Sequence, residues 1–137
     1  MRYLIDTNIL IRLRTEISFI SKEVLQILED LENRIYISTV SIQEIFMLLQ
    51  AGKIHVPVWK QAQDVFEFIE TNGISINYVK KEHLLTFAGL MPVSGHHDPF
   101  DRMIIAQALT EKIPLISSDA KFTAYRKQKL DFIFNEK

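Results

Sequence analysis

Two rhythms alternate along the chain: short runs of β-forming residues and longer stretches whose apolar positions recur at helical spacing. Tyr3 to Asp6 predicts a first strand. Thr7 and Asn8 then open a helix carrying Ile9, Leu10 and Leu13. Ser21 to Leu31 places Val24, Leu25, Leu28 and Leu31 on one stripe, and Arg34 to Ser38 returns to the strand rhythm with Ile35 and Ile37 on one face. Ser41 to Ala51 is helical through Ile42, Ile45, Phe46 and Leu49 and stops at Gly52, where a left-handed cap is easy. Pro57 suits a first helical turn, so the next helix is expected from there, through Val58, Val65, Phe66 and Ile69, to Asn72-Gly73. Ile74 to Tyr78 predicts a third strand, Lys81 to Leu90 a helix and Met91 to His97 a loop. Pro99 to Lys112 is a strong helix with Phe100, Met103, Ile104 and Ala108 inward. Pro114 to Ser117 and Leu130 to Phe134 complete the strands, with a short helix from Asp119 between them.

Strands alternating with helices imply a three-layer α/β fold, a mainly parallel sheet of about five strands flanked by helices. At 137 residues, without a linker-like or repeated stretch, one domain spanning 1–137 is expected. Hydrophobic residues make up 47% and charged residues 24%, which excludes a disordered or fibrous chain. No apolar stretch reaches the roughly 18 residues of a membrane span, and MRYLIDTNIL lacks the features of a signal peptide, so a cytoplasmic protein with no membrane partner is expected. The absence of cysteine excludes disulfides, thiol nucleophiles and Cys-ligated zinc, leaving Asp, Glu and His as metal ligands.

Candidate chemistry concentrates in four acids. Asp6 ends the first strand, Glu44 lies in the first turn after the second, Asp101 in the first turn of the Pro99 helix, and Asp119 ends the Pro114 strand. In open parallel sheets such junctions gather at the carboxyl ends of the strands, where the ligand crevice forms. Singly, each acid has an ordinary explanation: Asp6 and Asp119 suit helix caps, and Ser41-Ile42-Gln43-Glu44 fits a capping box. Pro99 at the first helical position makes Asp98 the cap, so Asp101 is the third helical residue. It then shares a side with Ile104, Ile105 and Ala108 and points inward, while Arg102 is turned away by about 100°. Carboxylates facing one another resist ionisation unless a cation neutralises them, and a divalent metal answers that problem. The formal net charge of -1 argues against a simple nucleic-acid binder but less against an enzyme whose metal supplies the positive charge.

These residues match a known pattern. LIDTNIL at 4–10, SIQEI at 41–45, HDPFDRMIIAQA at 97–108 and LISSDAKF at 115–122 together resemble the PIN-domain nucleases and, within them, the VapC-type toxins of bacterial toxin–antitoxin pairs. The resemblance implies that Asp6, Glu44, Asp101 and Asp119 hold one or two Mg²⁺ or Mn²⁺ ions, that the substrate is RNA, and that an antitoxin docks on the early helices. Homodimerisation is a further expectation of the resemblance. Ser117 stands where many relatives carry Thr, which keeps the hydroxyl. Oxygen ligands suit these ions, and a metal lowers the pKa of an attacking water.

Thr7, Asn8 and Ser117 are candidates for orienting ligands or water, or are helix-start and turn residues; Asp98 belongs to the same motif as a cap. His96 and His97, on a Gly-containing loop with no visible orienting partner, are expected to be solvent-exposed rather than catalytic. Arg12, Arg14 and Arg102 are candidates for phosphate contact, against the simpler reading of a solvated helix face. Phe46, Met47, Trp59, Phe66 and Phe68 suit either a partner groove or the core, with core packing the default. A PIN-type nuclease acting on DNA, or in RNA processing without a toxin role, is the alternative. A phosphoacceptor receiver domain would want paired acids after the first strand and a Lys after the last, which this chain lacks.

Overall fold

The computed structural model describes residues 1–136. The strands are β1 (Arg2–Ile5), β2 (Arg34–Ser38), β3 (Ser75–Asn77), β4 (Leu115–Ser117) and β5 (Phe132–Phe134). They pair in the order β3-β2-β1-β4-β5, with every neighbouring pair parallel. The helices are α1 (Thr7–Thr15), α2 (Lys22–Glu29), α3 (Thr39–Gln50), α4 (Ala62–Thr71), α5 (Lys81–Gly89) and α6 (Pro99–Glu111). Short 3₁₀ helices cover Ile17–Phe19 and Ala120–Gln128. Among the described residues no helix is long and apolar enough to cross a membrane.

Successive side chains on a strand point to opposite faces, and the two central strands use both. Ile5 and Ile116 enter one core with Ile9, Val24, Ile45 and Val65, whereas Leu4 and Leu115 enter the other with Ile104, Ala108 and Phe122. The sheet is thus buried between two apolar layers, the three-layer arrangement expected from the alternating rhythm. Chain order reverses direction between β1 and β4. Asp6 donates its backbone N–H to Ile116 O there, so the end of β1 and the end of β4 lie side by side. That switch point is where an open parallel sheet forms its crevice.

Three local expectations are corrected. The helix expected from Pro57 begins at Ala62, because Asp64 accepts from the N–H groups of Lys60 and Gln61 and fixes the start there. Pro57 lies instead in a turn that buries Trp59 and leaves Val58 exposed. Leu31 does not join the stripe of α2: that helix ends at Glu29, Asp30 turns the chain by accepting from Glu32 N, and Leu31 is 99% exposed. Helix α3 starts at Thr39 under a Ser38 cap rather than at Ser41, since Ser38 Oγ accepts from Val40 N. Glu44 therefore sits in the second turn of α3 and forms no capping box. Phe100 is only half-buried, whereas Met103, Ile104 and Ala108 face inward as expected. Gly52 (φ 69°) takes the left-handed conformation anticipated after α3.

Candidate functional site

Asp6 follows β1 as the cap of α1, and its position at a strand end buries it to 3% exposure. One carboxylate oxygen, Oδ1, accepts from Thr7 N at 2.7 Å; Oδ2 accepts from Ser117 Oγ at 2.7 Å and Asn8 Nδ2 at 3.0 Å. Thr7 Oγ1 in turn donates to Glu44 Oε1 at 2.6 Å, which ties α1 to α3. Asn8 Oδ1 accepts from Ser118 N, and Ser117 Oγ accepts from Asp119 N. Residues from β1, α1, α3 and the end of β4 are therefore linked in one network. On the opposite wall Asp98 caps α6, accepting from Phe100 N at 2.8 Å and Asp101 N at 3.2 Å, as Pro99 at the first helical position requires. Asp101, one turn in, faces the same cleft. Asp119 caps the 3₁₀ helix through Lys121 N.

All four predicted acids, with Thr7, Asn8, Asp98, His96 and His97, line one cleft of about 410 Å³. Burial raises the Asp6 carboxyl to about 7, against the lowering bonds from Ser117 and Thr7, and the nearby charges of Asp101 and Glu44 raise it further. Asp101 also rises to about 7, first through burial and then through repulsion from Asp98, Glu44 and Asp119. Glu44 is raised too, chiefly by burial, with Thr7 opposing and Asp98 adding to the shift. Of the residues lining the cleft, Lys121 is the one Lys or Arg. The donor set fits a hard divalent cation: several carboxylates, no soft ligand, and too little positive charge nearby for all to ionise. Among the described residues no group of three or more His, Asp or Glu side chains stands close enough together to hold a metal ion as they are placed.

The expectation for His96 is overturned. It is 5% exposed, with Nδ1 2.7 Å from Tyr125 Oη and Nε2 3.2 Å from Asp101 Oδ2. The partner missing from the local sequence lies 29 residues on, in the 3₁₀ helix, and nothing in the loop itself could have signalled it. His97 is exposed as expected. Lys121 was also missed; its spacing two residues after Asp119 was the available clue. Arg12 donates to Ser118 Oγ and lies over the Phe19 ring, Arg14 lies over Phe68, and Arg102 lies over Phe87 while reaching Leu90 O. None of the three lines the cleft.

Comparison with known proteins agrees with this architecture. A family model described as the PIN domain matches residues 3–128, and the chain belongs to the PIN-domain family. No curated protein sequence matches it. A chain in the structure of VapBC-1 from nontypeable Haemophilus influenzae is similar at 21% identity and TM-score 0.67, covering 100% of both chains. A chain of VapBC2 from Rickettsia felis, bound to a DNA fragment from their promoter, is similar at 17% identity and TM-score 0.65, with 98% of each chain covered. VapBC-5 from Mycobacterium tuberculosis, a member of the VapBC family of toxin-antitoxin systems, follows at 17% identity and TM-score 0.59, covering 97% of this chain and 96% of that one. At these identities the likeness is one of fold.

Proposed function

We propose that this chain is one PIN domain acting as a metal-dependent endoribonuclease, the toxin of a toxin–antitoxin pair working in the cytoplasm. The observation that carries the reading is the convergence of Asp6, Glu44, Asp101 and Asp119 on one cleft, where burial and mutual repulsion push the pKa of Asp6 and Asp101 up to about 7. Such a cluster ionises fully only when a cation joins it. In this reading Asp6, Glu44, Asp101 and Asp119 hold one or two Mg²⁺ or Mn²⁺ ions. When bound there, such an ion would supply positive charge for a phosphodiester and would make a nearby water more acidic. Ser117, Asn8 and Thr7 orient the carboxylates of Asp6 and Glu44, and Asp98 holds the first turn of α6 so that Asp101 faces the cleft. Lys121 is positioned to offset phosphate charge at the rim. Arg12 and Arg102 are less suited to that role, because their guanidinium groups already engage protein partners.

An apolar cleft of about 330 Å³ between α3 and α4, lined by Ile42, Phe46, Phe66, Ile76 and Tyr78, supports a protein partner, and the VapBC neighbours make an antitoxin the fitting one. Exposed Leu84 and Leu85 on α5 support pairing of two copies, which light scattering of the purified chain reads. The direct test is cleavage of single-stranded RNA and DNA by partner-free protein with Mg²⁺, Mn²⁺ or EDTA. RNA cleavage that EDTA stops is expected. Undiminished cleavage in EDTA refutes the reading, and a preference for DNA transfers it to the DNA-directed alternative.

A further inference from the structure

His96 is a buried polar side chain to which the reading above gives no role. It lies on the bridged turn between Val93 and His96, just ahead of α6, and its ring packs edge-on against Phe122 and Tyr125 at centroid distances of 5.7 and 5.2 Å. Its two nitrogens have different partners: the Tyr125 phenol at Nδ1 and the Asp101 carboxylate at Nε2. Once Asp101 is ionised it can only accept, so Nε2 carries the proton. Nδ1 is then an acceptor, and the phenol must donate to it. One proton arrangement therefore satisfies the whole chain from Tyr125 through His96 to Asp101. It engages Oδ2 of Asp101, while Oδ1 accepts no hydrogen bond among the described residues.

We propose that His96, oriented by Tyr125, is a positioning residue that holds Oδ2 of Asp101 and presents Oδ1 as a single-oxygen ligand to a divalent cation. The inference rests on the metal-binding reading and deepens it. A carboxylate pinned through one oxygen suits Mg²⁺ and Mn²⁺, which want few, well-placed ligands; a loose one is free to bind bidentately, as Ca²⁺ accepts. Hydrogen-bond partners of this outer kind are typically worth 10- to 100-fold in metal affinity.

Two substitutions separate holding from packing, because an Asn amide reaches only as far as imidazole Nδ1 whereas a Gln amide reaches the position of Nε2. The experiment measures Mn²⁺ and Ca²⁺ affinities of the intact chain by titration calorimetry, with melts in EDTA confirming that each variant is folded. His96→Asn is expected to weaken Mn²⁺ binding about 10- to 100-fold and to lower the Mn²⁺/Ca²⁺ ratio. His96→Gln should recover most of both, and Tyr125→Phe, which frees the tautomer, should fall between. Wild-type Mn²⁺ affinity in folded His96→Asn overturns the proposal while leaving the metal site standing, as does a His96→Gln variant no better than His96→Asn. A wild-type chain that binds no Mn²⁺ overturns the metal reading and this inference with it.

Discussion

Replacing Asp101 with Asn should make the metal-free protein more stable, and by an amount that depends on pH. The folded carboxyl titrates near 7 against an ordinary 3.8, because burial and the neighbouring acids penalise its charge. An acid whose folded pKa is raised binds more protons in the folded than in the unfolded state between those two values, so stability falls as pH rises through that window. Below about 3.8 the wild-type carboxyl is neutral in both states and the substitution should change little. From there to about 7 the advantage of Asn grows, and above 7 it is constant. A displacement of that size corresponds to at most about 4 kcal/mol. The side chain keeps 17% exposure and is coupled to Asp6, so about half of that, ~2 kcal/mol, is the expected plateau. His96, whose pKa is lowered by burial, works in the opposite direction below about 6.5; because its Nε2 touches Asp101 Oδ2 it contributes to the difference there, and the plateau above pH 7 is where the carboxyl alone is read. The assay is guanidinium unfolding of both proteins in EDTA at several pH values from 4 to 8.5. A difference that is flat with pH, or a variant less stable than wild type at pH 8, refutes the account of mutually destabilising carboxylates. Adding Mn²⁺ should stabilise wild type far more than the variant.

Asp98→Asn should leave stability nearly unchanged and RNA cleavage largely intact, since Asn caps as well as Asp, while Asp98→Ala should cost about 1 kcal/mol in the same unfolding assay. An Asp98→Asn enzyme as inactive as Asp101→Asn would show that the metal site uses both acids. Ser117→Ala removes the hydroxyl bonded to Asp6, Asn8 Nδ2 and Asp119 N, so it should destabilise the metal-free protein by roughly 1–3 kcal/mol and push the Asp6 titration still higher, measurable from carboxyl chemical shifts.

Much of the fold was legible because its signals are local. The Asp98-Pro99 pair defines the start of α6 through one cap and one missing N–H, and both are properties of adjacent residues. The period of Ile42, Ile45 and Leu49 likewise marks α3 whatever surrounds it, and Asp6 and Asp119 follow from where strands hand over to helices. Signals failed where two local rules competed: Pro57 and Asp64 each suit a helix start, and the Asp64 bonds to Lys60 and Gln61 N–H, with Trp59 turned into the core, leave the helix to begin at Ala62. Four acids at four junctions could be counted in the sequence, but their meeting on one cleft depends on β1 and β4 lying side by side, a pairing across more than a hundred residues. Their raised pKa values depend on the same contact, since desolvation and repulsion act through space. His96 shows the limit most clearly: its loop carries every mark of an exposed segment, and only the return of Tyr125 beneath it turns a surface imidazole into a buried link to Asp101. Residue chemistry and local periodicity are written along the chain, whereas burial, charge coupling and the choice of hydrogen-bond partner exist only once distant segments have packed.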